Sequence, residues 1–205
     1  MRQYTINKIT KKQCEDILTQ FHYLSRQGFK FRVGFNYGLF LDNLLVGVAI
    51  YTCPSVPETV KSCFGLKIEE QYGIFELSRL ALNPNYYQKN LTSWFLSRTI
   101  KLLKHETIVK AIITYADSDF HVGYTYQATN FKYYGLTAIK KDFWILQKDG
   151  TYIKHQRGKV KGIQGDWRPR SRKHRYLLIY DKNLKCLWQE QSYPKSNNIA
   201  KYNKI

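Results

Sequence analysis

Acidic residues are scarce in this chain: 15 aspartates and glutamates stand against 33 lysines and arginines, a formal net charge of +18 in 205 residues. That imbalance disfavours cationic partners and points to a polyanion, nucleic acid first and an anionic membrane surface second. Cysteine is sparse as well. Cys14, Cys53, Cys63 and Cys186 are scattered without a C-x-x-C pair. They offer neither a zinc spacing nor a disulfide framework, and read as the reduced thiols of a cytoplasmic protein. No apolar run spans a membrane, because the longest, Leu39 to Tyr51, is broken by Asp42-Asn43. Met1 to Lys12 lacks the apolar centre of a signal peptide, and no internal repeat is visible. What remains is 43% hydrophobic and 16% aromatic, enough for a folded core. The expected organisation is a single domain over 1–188, including a basic arm at 154–175, followed by a loose polar tail over 189–205.

The stretch Phe75 to Arg98 organises the rest. Phe75, Leu77, Arg79 and Ala81 alternate with Glu76, Ser78, Leu80 and Leu82, the period of an interior strand with apolar residues on both faces. Asn83-Pro84-Asn85 ends it. From Asn90, the residues Leu91, Phe95, Ile100 and Leu103 recur at helical spacing, with Asn90 or Thr92 as cap. A helix opening directly off an interior strand presents unpaired amide hydrogens, which suits a phosphate.

Before this unit, Tyr4–Ile9 reads as a strand and Thr10 as the cap of a helix over Lys11–Phe21. Phe31–Leu41 and Leu44–Cys53 form a hairpin across Asp42-Asn43, and Pro54–Tyr72 reads as a long loop with room for a short helix. After it come a buried strand at Val109–Ala116, a turn at Asp117–Asp119, a short helix within His121–Phe131 and a strand at Lys132–Ile139. A hairpin follows around Lys148-Asp149-Gly150. Lys154–Arg175 reads as a surface arm, and Tyr176–Tyr180 with Cys186–Trp188 as a last hairpin. The pattern is α/β, a single mixed curved sheet flanked by helices.

Several residues carry chemistry in this frame. Arg79, a cation inside a strand, needs an anion: Glu76, Asp117 or a cofactor phosphate. Asp117 ends a strand, where α/β sheets place ligands, whereas Asp119 suits a turn. His22 titrates near neutrality. With Tyr23, Asp117 and His121 it composes a nitrogen and oxygen set of the kind that suits iron. Tyr124 and Tyr126 face different ways on a helix. Lys159, Lys161, Trp167, Arg168, Arg170, Arg172, Lys173 and Arg175 combine cations with a stacking ring, as a nucleic-acid surface does.

The order of elements resembles the GNAT acyltransferase fold over roughly residues 2–182. Gln88-Lys89-Asn90-Leu91-Thr92-Ser93 stands where that fold carries its pyrophosphate loop, with Leu91 in place of a glycine, which would crowd the pyrophosphate. Thr125 to Phe131 follows the tyrosine and Gly-Phe spacing of the fold, with Asn130 for glycine. A closer likeness is to the phage Mom family of DNA-modification proteins. It is carried by His22-Tyr23-Leu24-Ser25, Glu76-Leu77-Ser78-Arg79, Asn90 to Ser93, Tyr115-Ala116-Asp117 and His121-Val122-Gly123 through Asn130. The resemblance implies modification of adenine in double-stranded DNA at its exocyclic amine, giving a carbamoylmethyl group that protects phage DNA from restriction in the host cytoplasm. It implies catalytic roles for His22, Tyr23, Arg79, Asp117 and Tyr126, the last as general acid. A donor, acetyl-CoA or another small acyl or amide compound, would lie against Leu80, Leu82, Gln88, Asn90, Thr92 and Ser93. An acetyltransferase acting on tRNA or protein, and a non-catalytic DNA-binding protein on the same scaffold, are the alternatives.

Overall fold

The computed structural model describes residues 3–22, 31–155 and 158–195. Its main sheet takes strands β1 (Tyr4–Lys8), β2 (Phe35–Leu41), β3 (Leu44–Thr52), β4 (Ile74–Leu82), β5 (Ala111–Asp117), β6 (Lys132–Leu136) and β10 (Lys173–Ile179). They lie in the order β1-β2-β3-β4-β5-β10-β6, antiparallel except for β4 beside β5. A second sheet of three strands is built from β7 (Lys141–Leu146), β8 (Tyr152–Lys154) and β9 (Gly165–Pro169), with β7 central. Helix α1 (Lys11–Phe21) opens with the expected cap: Gln13 N–H donates to Thr10 Oγ1, and Thr10 N–H donates to Gln13 Oε1. The β2–β3 hairpin turns at Asp42 (φ 46°) and Asn43 (φ 71°), the pair of left-handed residues that a two-residue turn demands.

Helix α3 (Leu91–Glu106) covers one face of the sheet, packing Leu91, Phe95, Leu96, Ile100 and Leu103 on Tyr37, Tyr51, Phe75, Leu77 and Ile112. The short helix α4 (Tyr124–Gln127) adds Tyr126 to the same core. On the opposite face α1 packs on Val48, Ile50 and Ala81, and α2 (Pro57–Phe64) packs on Ile74, Ala111, Ile113 and Leu177.

One irregularity in β4 decides where the site residues point. Tyr51 pairs with Leu77 but Ile50 pairs with Arg79, so Ser78 is an extra residue, a β-bulge. Its hydroxyl donates to Ile50 O at 3.2 Å. Before the bulge Phe75 and Leu77 face α3; after it Leu80 and Leu82 face α3, while Ala81 joins the α1 side. Simple alternation would put Arg79 beside Leu77; the bulge turns it to the other face, sparing the α3 core a cation.

Pro54–Tyr72 contains α2, the short helix allowed for in that loop, and a 3-10 turn at Ile68–Glu70. Three further expectations change. The basic stretch, expected as a surface arm, ends in β9 and enters β10, and β10 lies between β5 and β6. Cys186–Trp188 forms no strand; Leu187 N–H donates to Cys63 O at 2.7 Å and Trp188 Nε1 to Ser62 Oγ at 3.1 Å. Residues 189–195, expected to be loose, pack back on β6: Gln191 N–H donates to Tyr133 O at 2.9 Å and Tyr193 Oη to Phe131 O at 2.8 Å. The cysteines are all free thiols, yet Cys63 and Cys186 sit together, sulfur to sulfur 3.8 Å. No described helix is long and apolar enough to cross a membrane.

Candidate active site

Strands β4 and β5 run side by side only from Ile74/Ala111 to Leu77/Thr114, where Thr114 Oγ1 donates to Leu77 O at 3.1 Å. Beyond that point β4 continues to Leu82 against β3, and β5 to Asp117 against β10, with no ladder between them. Backbone groups in such a fork lack sheet partners, which makes it a natural entry for a ligand.

On the α1 side of the fork lies a chain of titratable groups. His22 terminates α1 and is buried. Burial first, then the positive charge of Arg79 and the neighbouring His121, hold its imidazole down to about 4 from an ordinary 6.5, so it is neutral at pH 7. Burial also lowers His121, with the Asp117 carboxylate opposing and His174 and Lys173 adding to the fall. Arg79 Nη1 donates to Ser78 O at 2.6 Å. Asp117, 3% exposed, accepts from Lys173 Nζ, from Ser171 Oγ at 3.1 Å and from Asp119 N–H at 3.1 Å. Of the two anions expected beside Arg79, Asp117 is therefore the partner of Lys173, and Glu76 accepts Ser55 N–H at 2.8 Å. Asp119 serves the turn. A hollow of about 170 Å³ opens beside Arg79, lined by Phe31, Arg32, Thr52, Ser55 and Ser78. Among the described residues the Thr52 hydroxyl, buried there, has no hydrogen-bond partner, an unmet group that a polar ligand would satisfy.

On the α3 side, Tyr126 is buried with its ring 5.5 Å from Tyr176, 5.8 Å from Phe131 and 6.5 Å from His121. Burial raises its hydroxyl above the usual tyrosine range, opposed by a hydrogen bond to Thr114. Tyr124 points outward. His121 therefore links the two sides, touching Asp117 and His22 electrostatically and Tyr126 by its ring. From the sequence it has a role only as a metal ligand; its place four residues past Asp117, the end of β5, was the signal for more.

A larger cleft of about 540 Å³ lies between α3 and the end of α4, lined by Asn90, Ser93, Trp94, Ser97, Arg98 and Lys101 with Ala128, Thr129 and Asn130. Of the expected donor residues, Asn90 and Ser93 line it, Leu80 and Leu82 pack against the core beneath α3, and Gln88 is exposed beside it. Leu91 does not crowd the helix tip: its side chain is 6% exposed and belongs to the core. The left-handed residue is Asn90, φ 66°, which caps α3 without a side-chain hydrogen bond. Arg98 and Lys101 were missed, although Asn90, Trp94, Ser97 and Lys101 repeat at helical spacing.

The expected iron set does not assemble. Among the described residues no three His, Cys, Asp or Glu lie close enough to hold a metal, Asp117 already holds the Lys173 ammonium, and Tyr23 lies outside the described residues. The expected nucleic-acid set divides in two. Lys159, Lys161, Trp167, Arg168 and Arg170 belong to the small sheet and its loop, where Arg168 stacks 3.8 Å from the Tyr152 ring centre. Arg172, Lys173 and Arg175 serve the main sheet instead. Arg172 Nε donates to Thr137 O at 2.6 Å, Lys173 holds Asp117, and Arg175 lies 4.4 Å over the Trp188 ring.

Comparison with known families places the molecule. The Mom protein family matches residues 3–195. The chain belongs to the Mom protein family. No curated protein sequence matches it. Solved structures resemble this Mom-family chain in fold. An N-acetyltransferase from Staphylococcus aureus is 11% identical with a TM-score of 0.52, over 86% of this chain and 98% of that one. The ribosomal-protein-alanine N-acetyltransferase of Escherichia coli is 12% identical, TM-score 0.51, over 86% and 94%. A Bacillus subtilis acetyltransferase solved in complex with CoA is 15% identical, TM-score 0.50, over 88% and 99%. At these identities the likeness is one of fold, and the Mom-family chain has the GNAT fold.

Proposed function

We propose that this protein is a transferase that modifies the exocyclic amine of adenine in double-stranded DNA, giving a carbamoylmethyl or related group and so protecting phage DNA from restriction. The observation that carries the reading is the β4–β5 fork. On its α1 side a polar hollow opens around Arg79, near which the His22 imidazole is held neutral, and on the α3 side of the sheet lies a second, cation-lined cleft. Family membership and a net charge of +18 support DNA as the partner.

The α3–α4 cleft suits an acyl-CoA or similar donor. Arg98 and Lys101 would meet its phosphates, as would the first-turn amides of Thr92 and Ser93. A thioester donor supplies an acyl carbon and departs as the thiol, giving an N-acyl adenine, whereas a carbamoylmethyl product takes a donor whose methylene carbon carries the leaving group. A paired adenine must leave the stack to react, and the hollow beside Arg79 has the size and polarity for one base, with Thr52, Ser55 and Ser78 facing its edge. The amine is a weak nucleophile, because its lone pair is delocalised into the ring. Neutral His22 takes its proton as the carbon–nitrogen bond forms. Asp117, held by Lys173 and Ser171, orients His121, and Tyr126 returns a proton to the leaving group.

Plasmid co-expressed with the protein, digested to nucleosides and analysed by mass spectrometry, tests this. A modified adenine that disappears with His22→Gln and Asp117→Asn is expected. Only the four ordinary nucleosides from the wild type would leave a DNA-binding protein without catalysis.

A further inference from the structure

Strands β7, β8 and β9 pair only with one another. In their register Phe143 lies opposite Trp167, and Ile145 opposite Ile153, so these four share one face. Phe143 is buried, its ring 5.3 Å from that of Trp167. Trp167 is nevertheless 56% exposed and Ile153 57%. An apolar face left open to water on so charged a protein marks a contact surface. Exposed Lys141, Lys159 and Lys161 accompany it on the same strands and loop, while the acids Asp142 and Asp166 are engaged by Lys154, Arg170 and Arg168. The charge around the apolar face is thus net positive, complementary to a phosphate backbone.

The position of this face relative to the site is constrained by the chain itself. Ser171 Oγ touches Asp117 at 3.1 Å, and Trp167 lies four residues upstream, at most about 13 Å away along an extended strand. That is on the order of the ~12 Å width of a DNA major groove. Extruding a base leaves a gap in the stack, and architectural proteins fill such gaps with apolar wedges.

We infer that Trp167, backed by Phe143 and flanked by Ile153, is a wedge that enters duplex DNA and occupies the space vacated when an adenine swings toward Arg79. The inference rests on DNA adenine being the substrate. The wedge stabilises the opened duplex and takes no part in bond formation, so its loss affects base opening and leaves the transfer step intact.

The test uses the full chain and duplex oligonucleotides carrying 2-aminopurine in place of adenine, in the sequence contexts modified in the plasmid experiment, or in arbitrary contexts should none be modified. 2-Aminopurine is quenched while stacked and brightens when extruded. At saturating protein the wild type and Trp167→Phe are expected to raise the fluorescence several-fold, and Trp167→Ala to leave it within about 1.5-fold of free duplex while still binding. Plasmid modification by Trp167→Ala is expected to fall ten-fold or more. Brightening by Trp167→Ala equal to the wild type overturns the wedge, as does a wild-type complex that stays quenched. The first result leaves the transferase reading untouched, and after the second that reading stands only where the plasmid experiment yields modified adenine. Conversely, a wild type that brightens the probe yet yields no modified nucleoside sinks that reading and leaves the wedge in place.

Discussion

Replacing Lys173 by Met removes the ammonium from a carboxylate that has almost no access to water. Asp117 keeps its hydrogen bonds from Ser171 Oγ and Asp119 N–H, but its charge is left uncompensated in the sheet. Breaking a buried ion pair from one side costs about 3–5 kcal/mol. Here the Lys173 side chain is 27% exposed against 4% for Asp117, so water partly screens the pair and about 2–3 kcal/mol is the expected loss. Asp117→Asn removes the charge and keeps one acceptor, for Asp119 N–H, while its amide NH2 can donate to the Ser171 hydroxyl and the ammonium can turn to solvent; about 1 kcal/mol is expected. In the double variant neither charge remains, and its stability should lie within about 1 kcal/mol of the wild type, a coupling of roughly 2 kcal/mol. Urea unfolding at pH 7 measures all four proteins, with an unchanged slope required for the comparison. Strictly additive losses, or Lys173→Met within about 0.5 kcal/mol of the wild type, would refute the ion pair as the fixture of this strand end. The stable double variant then separates structure from chemistry. If it still makes modified adenine, Asp117 serves only to hold β5 against β10.

The depressed His22 imidazole makes stability depend on acid in a definite direction. Its folded value lies below its unfolded one, so the stabilisation is full above pH 6.5 and drains away as the pH falls toward 4; a difference of 2.5, from 6.5 minus 4, corresponds to about 3 kcal/mol. Between pH 7 and pH 4 the wild type should lose up to that much more than His22→Gln, measured by denaturation at each pH; parallel losses would disprove a buried neutral histidine. In the α3–α4 cleft, Arg98→Gln with Lys101→Gln should weaken CoA binding at low salt about ten-fold by calorimetry without lowering the melting temperature, both side chains being exposed. On the small sheet, Lys161→Gln with Arg170→Gln should flatten the salt dependence of DNA affinity by about one unit of slope per lost phosphate contact. Arg172→Gln, whose guanidinium bonds Thr137 O, should instead lower stability and leave that slope unchanged.

Local patterns carried much of the fold. The Thr10 cap, the Asp42-Asn43 turn, the strand from Phe75 and the helix from Leu91 each express a preference that neighbouring residues decide, and all four form as read. Two kinds of feature stayed hidden. Register is set across strands, so nothing in Glu76-Leu77-Ser78-Arg79 announces that Ser78 is extra and that Arg79 changes face. Partnership is set by topology, so Lys173 reads as one more cation in a basic run until β10 is inserted beside β5 and brings it to Asp117.

The same insertion explains why the charge of +18 is an imperfect guide to which cations are free for a polyanion. A cation in an extended run is free to meet phosphate only if the fold leaves it at the surface, and β10 consumes Arg172, Lys173 and Arg175 in holding the sheet together. The cations left exposed lie upstream, on the small sheet and its loop, which is where the proposed function puts DNA. Anchoring one end of that small sheet through Ser171 and Lys173 to the carboxylate that closes β5 fixes the distance between a surface suited to the duplex and the fork suited to chemistry. A binding surface built on an independent domain and a flexible linker would leave that distance to diffusion. Here it is a property of a hydrogen-bonded strand end, so on the proposed function perturbing Asp117 should shift where a bound duplex presents its base as well as how fast that base reacts.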